Sequence, residues 1–223
     1  MFVTALAVLL LPAFAAAQYG GPNPTPTSST PVPAPSAPPD TAGNMNIDVA
    51  FNGTFTFHPN NIVAPNGTLV TFWIPDQGFD HSITQSSFDA PCTYLNSSAN
   101  STTPGFDSGL HSRMKFTINI TDDTKPIWFH CKQILHCGMG MVGSINAPNN
   151  TANTFEAFQA AAIKIGNTEV QETDHGFVAG GINAVATGPP VSSTSTSASS
   201  ASNQFIVGTG FAMIAGVIAL VLV

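Results

Sequence analysis

Between Met45 and Ala147 the chain is cut into short runs of β-branched and aromatic residues, at 45–51, 54–57, 68–74, 81–85, 112–120, 126–131 and 141–146. Pro, Gly, Asn and Asp separate them. Such side chains fit a pleated surface, and about seven short strands in roughly a hundred residues predict an all-β, antiparallel sandwich. After Pro148 the pattern changes. Thr154 can cap a helix, strong helix formers follow, and Phe155, Phe158, Ala162 and Ile165 make one apolar stripe. A short amphipathic helix packed on the sandwich edge is expected there, whereas residues 166–190 show no defined element. There is no internal repeat and no glycine loop of the kind that cradles phosphate.

Both ends carry processing signals. Phe2–Ala17 is an uncharged, largely apolar run ending in three alanines, which reads as a signal peptide over 1–17. Residues 18–43 form a Pro/Ser/Thr-rich spacer, with eight prolines between 22 and 39, a composition that stays extended. The domain itself spans 44–147, and 148–190 is expected to be a helical extension and linker. A Ser/Thr-rich spacer at 191–203 precedes a hydrophobic tail at 204–223. Small residues, a polar spacer and a terminal apolar tail fit a glycosylphosphatidylinositol (GPI) signal, with attachment between Ser192 and Asn203. A transmembrane helix is the other reading of that tail. Sequons at Asn52, Asn66, Asn96, Asn100, Asn119 and Asn149 agree with a secretory route.

Charge excludes one class of partner. Five Lys and Arg against twelve Asp and Glu, a formal charge of −7, cannot neutralise a phosphate backbone, so nucleic acid is not expected as a partner. Three cysteines are an odd number for a secreted chain and leave one thiol over. The segment Cys131-Lys132-Gln133-Ile134-Leu135-His136-Cys137-Gly138-Met139-Gly140-Met141 places a histidine five residues after a cysteine and a methionine five beyond that. Thiolate, imidazole and thioether in one loop are the ligand types of a blue-copper site, which needs a second histidine. His81, on the expected 81–85 strand, is the candidate. His130 points to the opposite strand face from Cys131 and is expected to be structural or at the surface. His58, His111 and His175 are expected in solvated loops.

The stretches FTFHPNNIVAPNGTLVTFWI, DHSITQSSFDAPC, PGFDSG and PIWFHCKQILHCGMGMVGSIN cover most of residues 44–147. On these the chain resembles the cupredoxins, in particular the phytocyanin-like domains of fungal extracellular serine-rich, GPI-anchored proteins. The resemblance implies a Greek-key β-sandwich of about seven to eight strands. It also implies a Cys92–Cys137 disulfide, leaving Cys131 as the metal thiolate. Closing that loop would contribute roughly 4 kcal/mol in the chain-entropy model. One type 1 copper ion held by His81, Cys131, His136 and Met141 is implied, with Met139 the competitor for the axial position. Ser82 stands where the family often has Asn after the first histidine.

The implied chemistry is one-electron transfer, with His136 presenting an edge to solvent among Ile134, Leu135 and Met139. A redox protein or a small reductant would be the partner, and the protein a monomer held to the membrane by lipid or transferred to the cell wall. The alternative is a structural or copper-sequestering wall glycoprotein with no redox role. An enzyme is not expected: Lys132 follows Cys131, no His-x-His pair occurs, and a Gly-x-Ser-x-Gly elbow is missing.

Overall fold

Alternation decides where the sandwich closes. In the computed structural model, which describes residues 37–97 and 102–192, strand β4 (Leu69–Ile74) buries Val70, Phe72 and Ile74 and turns the residues between them outward. Strand β6 (Met114–Ile120) does the same with Phe116, Ile118 and Ile120. The two pair antiparallel, Phe72 opposite Phe116, so their inward residues form one apolar face. The signal peptide, most of the proline-rich spacer, Asn100, residues 193–203 of the attachment region and the apolar tail lie outside the described residues.

The remaining strands are β1 (Asn44–Val49), β2 (Phe57–His58), β3 (Asn61–Ile62), β5 (Thr84–Ser86), β7 (Ile127–His130), β8 (Val142–Ile145), β9 (Ala184–Ala186) and β10 (Val191–Ser192), with helix α1 at Phe155–Ile165. One sheet runs β10-β6-β4-β1-β2, with β9 also on β6; the other runs β3-β8-β7-β5. The expected sandwich is therefore present, but pairing and bounds differ: the expected 81–85 strand begins only at Thr84, leaving His81 ahead of it on an isolated bridge to His111. β1 pairs β4 and β3 pairs β8 in parallel, so the sheets are mixed. The expected 54–57 strand begins only at Phe57, because Phe51–Gly53 form a helical turn entered through left-handed backbone at Ala50.

Between the sheets lie Ile47, Phe57, Phe72, Phe116, Phe129, Cys131, Met141 and Ile145, all buried. Phe129 meets Phe57 and Phe72 edge-on at 5.0 and 5.2 Å, a geometry that adds roughly 1 kcal/mol per pair to burial. β7 and β8 are buried on both faces because α1 covers the outer one. There Trp128 packs on Phe158 at 4.7 Å and on Phe88 at 5.1 Å, beside the Cys92–Cys137 disulfide. The helix starts where Thr154 accepts the Ala157 N–H and ends at Gly166, whose φ of 50° leaves the helical region.

The segment after α1 does more than link. β9 pairs β6 along Ile118–Ile120, β10 pairs it at Met114–Lys115, and Val178 bridges Asp107. These strands are two or three residues long, too short for a periodic sequence signal.

Candidate metal centre

Three elements converge at one end of the sandwich. β7 ends at His130 and delivers Cys131; the loop 131–141 carries His136 before β8 begins; and His81 sits just ahead of β5. The loop is pinned by backbone bonds from Cys131 N–H to Met141 O and from Met141 N–H to His136 O. Gly140, with φ 96°, makes the turn that lets it close. The disulfide from Cys137 fixes the loop to Cys92. His81 is held from the far side by a two-way backbone bridge to His111.

The result brings one nitrogen each from His81 and His136 and the Cys131 sulfur within 4.8 Å of one another. Cys131 Sγ lies 3.8 Å from His81 Nδ1 and 3.4 Å from His136 Nδ1. Thiolate and imidazole bonds of about 2.0–2.3 Å to a first-row ion such as zinc would separate neighbouring ligand atoms by roughly 3.6 Å. These three side chains therefore fit around one metal ion. Cys131 is the only free cysteine among the described residues. Met141 is fully buried in the adjoining core, whereas Met139 is 59 % exposed.

Burial sets the protonation states. It lowers both imidazoles to about 4, with the neighbouring His81 adding to the effect on His136, and pushes the Cys131 thiol up to about 12. Without metal the rings are neutral and offer lone pairs, and the thiol keeps its proton. The unfolded chain protonates its histidines near 6.5, so it binds more protons than the folded chain between about pH 6.5 and pH 4. Stability of the metal-free protein should fall as pH drops through that window and gain no further loss from these groups below it. Thermal unfolding across pH 7 to 4 measures this. A His136→Gln variant should show a shallower decline, and equal slopes would remove the histidine contribution.

Ser82 ties the segment that carries His81 to the peptide around Cys131. Its hydroxyl accepts the Lys132 N–H at 2.8 Å and contacts Thr84 Oγ1 at 2.8 Å, while its N–H donates to Cys131 Sγ at 3.4 Å. Donation to sulfur favours the thiolate. Phe55 stacks on His136 at 4.1 Å, leaving that ring only 4 % exposed among Ile134, Leu135 and Met139. The imidazole edge is thus more covered than the sequence led us to expect. His81 forms part of the wall of a cleft of about 410 Å³ lined by Phe55, Gln77 and Phe79.

His130 is buried, and its Nε2 lies 2.8 Å from Glu172 Oε2. His58 stacks on Phe51, and His175 is exposed. Asn52, Asn66, Asn96 and Asn149 are exposed; Asn119, in mid-strand on β6, has its carboxamide oxygen buried without a partner. Composition gave no sign of the roles of Phe55, Ser82 or Glu172. Lys132 did carry a signal, since a lysine beside a buried ligand needs an acid nearby.

No family model matches the chain. A curated fungal protein from Arthroderma benhamiae, described as a probable GPI-anchored cupredoxin, is 35 % identical over 159 residues, covering 71 % of this chain and 80 % of the relative. Among solved structures, a pseudoazurin from Sinorhizobium meliloti aligns at 20 % identity and a TM-score of 0.30, covering 55 % of this chain and 94 % of that one.

Proposed function

This chain belongs to the cupredoxins, and from that premise we propose that it is a cell-surface type 1 copper protein that passes single electrons. His81, Cys131 and His136 would hold one copper ion, with Met141 as a fourth, weaker ligand. Bound there, copper would supply a centre that cycles between Cu(II) and Cu(I). The convergence of two neutral imidazoles and one thiol in a buried cluster carries this reading. Burial of Met141, against the 59 % exposure of Met139, supports Met141 as that fourth ligand.

The chain's own residues supply rigidity and dryness. Ser82, the Cys131–Met141 backbone bond and the disulfide hold the three donors in place, so that little rearrangement accompanies a change of charge. Phe55 and the surrounding core exclude water. Phe79, Leu135 and Met139, each at least 40 % exposed, offer apolar surface for a brief encounter with a redox protein or a small reductant.

The relative's name, with the apolar tail and Ser/Thr spacer, supports GPI attachment between Ser192 and Asn203, after removal of residues 1–17. Domain limits of 44–147, followed by an extension that folds back on β6, belong to the same proposal, as do glycans at the exposed sequons. The test is to secrete the full chain, add Cu(II) and record the visible spectrum with a thiol count. An intense blue band that bleaches with reductant and returns on oxidation is expected, with the Cys131 thiol titratable only before copper is added. A colourless protein with a free thiol would overturn the copper reading and favour a structural wall glycoprotein.

A further inference from the structure

Three of the chain's twelve acidic residues fall within the six-residue stretch Glu169–Asp174, and their carboxylates reach the His136 loop and the residues before and after Cys131. Glu169 Oε2 accepts the N–H of Gly138, in the loop that carries His136, at 2.5 Å. Glu172 Oε2 lies 2.8 Å from Nε2 of His130, the residue before Cys131, and its other oxygen accepts the Tyr94 N–H. Asp174 Oδ1 pairs at 2.7 Å with Nζ of Lys132, the residue after Cys131, and Oδ2 accepts the Leu110 N–H at 3.3 Å.

The approach is close as well as polar. A Cβ on Gly138 would stand 2.3 Å from Gly166 O, so only glycine lets the segment lie on the loop. His130 and Lys132 are buried, 0 % and 2 % exposed, and their polar heads have few other partners. Lys132 also meets Asp107 at 2.6 Å, and His130 Nδ1 has none. Beyond Asp174 the segment is held down by the Asp107–Val178 bridge.

We propose that Glu169, Glu172 and Asp174 form a clasp of positioning residues that fixes the residues before and after Cys131 and the His136 loop, and so sets the geometry of the copper site. The inference rests on the copper reading above. Groups bonded directly to a metal's ligands are worth about 10–100-fold in metal affinity; these three contacts act one step further out, on the residues that place the ligands, and are expected to reach that range together. The clasp makes the post-helical segment part of the metal centre.

The experiment compares the full secreted chain with the triple variant Glu169→Gln, Glu172→Gln, Asp174→Asn, and with Glu156→Gln on the exposed face of α1 as control. Copper affinity, the position of the visible band and the electron paramagnetic resonance hyperfine splitting are read on each. The triple variant should bind copper about 10–100-fold more weakly and shift both spectroscopic signatures, while Glu156→Gln matches the wild type. A wild-type band with unchanged affinity and spectra in the triple variant overturns the clasp and leaves the copper reading standing. A wild type that never develops the band overturns both.

Should the triple variant fail to fold, the single Glu169→Gln and Glu172→Gln variants are read instead, with amide exchange on the metal-free protein. Faster exchange of the Cys131 and Met141 N–H groups with β4 and β6 unchanged supports the clasp. Equal loss across all of them marks a merely structural role and overturns it.

Discussion

Replacing Cys131 with serine should abolish the blue absorption at every copper concentration while leaving the sandwich folded. A hydroxyl is a poor ligand for copper beside a thiolate, and the colour of such a site comes from the sulfur. The fold should survive because serine is slightly smaller than cysteine and the loop keeps its backbone bonds and its disulfide. The cost is a buried hydroxyl, roughly 1–3 kcal/mol unless it finds a partner, and Ser82 N–H and the His136 Nδ1 stand close enough to supply one. Circular dichroism and thermal unfolding read the fold; absorbance on copper addition reads the site. A variant that kept its blue band would sink the ligand assignment.

Substituting Lys132 by methionine should lower stability by about 3–5 kcal/mol, the usual result of removing one partner from a buried ion pair. Burial alone would pull the lysine's pKa down, but its hydrogen bonds to Asp107 and Asp174 win and hold it above the ordinary value. Methionine fills a similar volume yet leaves the Asp107 carboxylate, 5 % exposed, facing an apolar stem. Denaturant unfolding gives the size of the loss. Adding Asp107→Asn to Lys132→Met should recover part of it, because the stranded charge is then gone. A loss below about 1 kcal/mol would place this pair in the class of solvent-screened surface bridges.

The sandwich was legible where alternation was long. β4 and β6 give six and seven residues of in-and-out pattern, and their pairing follows from it. β7 and β8 are buried on both faces, so they show as apolar runs without alternation, and the helix that covers them was readable from its own stripe. β3, β9 and β10 were not legible, because two or three residues carry no period. The parallel pairing of β1 with β4 was missed for another reason: side-chain pattern fixes which face a residue takes, not which way its neighbour runs.

At the metal end, Cys131 and His136 stood out because a short loop must bring its own residues together. His81 was reachable only through strand placement and the family resemblance. Ser82 showed only as a departure from the family's Asn, and nothing in the sequence said that its hydroxyl accepts the Lys132 N–H fifty residues away. The pairing of His130 with Glu172 spans 42 residues, and one sequence cannot say which of twelve acids a buried base will choose.

Strand β10 bears on how the molecule is moored. It runs toward the start of β6, so Ser192, the last described residue, stands beside Met114, just past the His111 bridge to His81. Under the anchoring proposed above, attachment at Ser192 would tether the protein from the end that carries His81, Cys131 and His136.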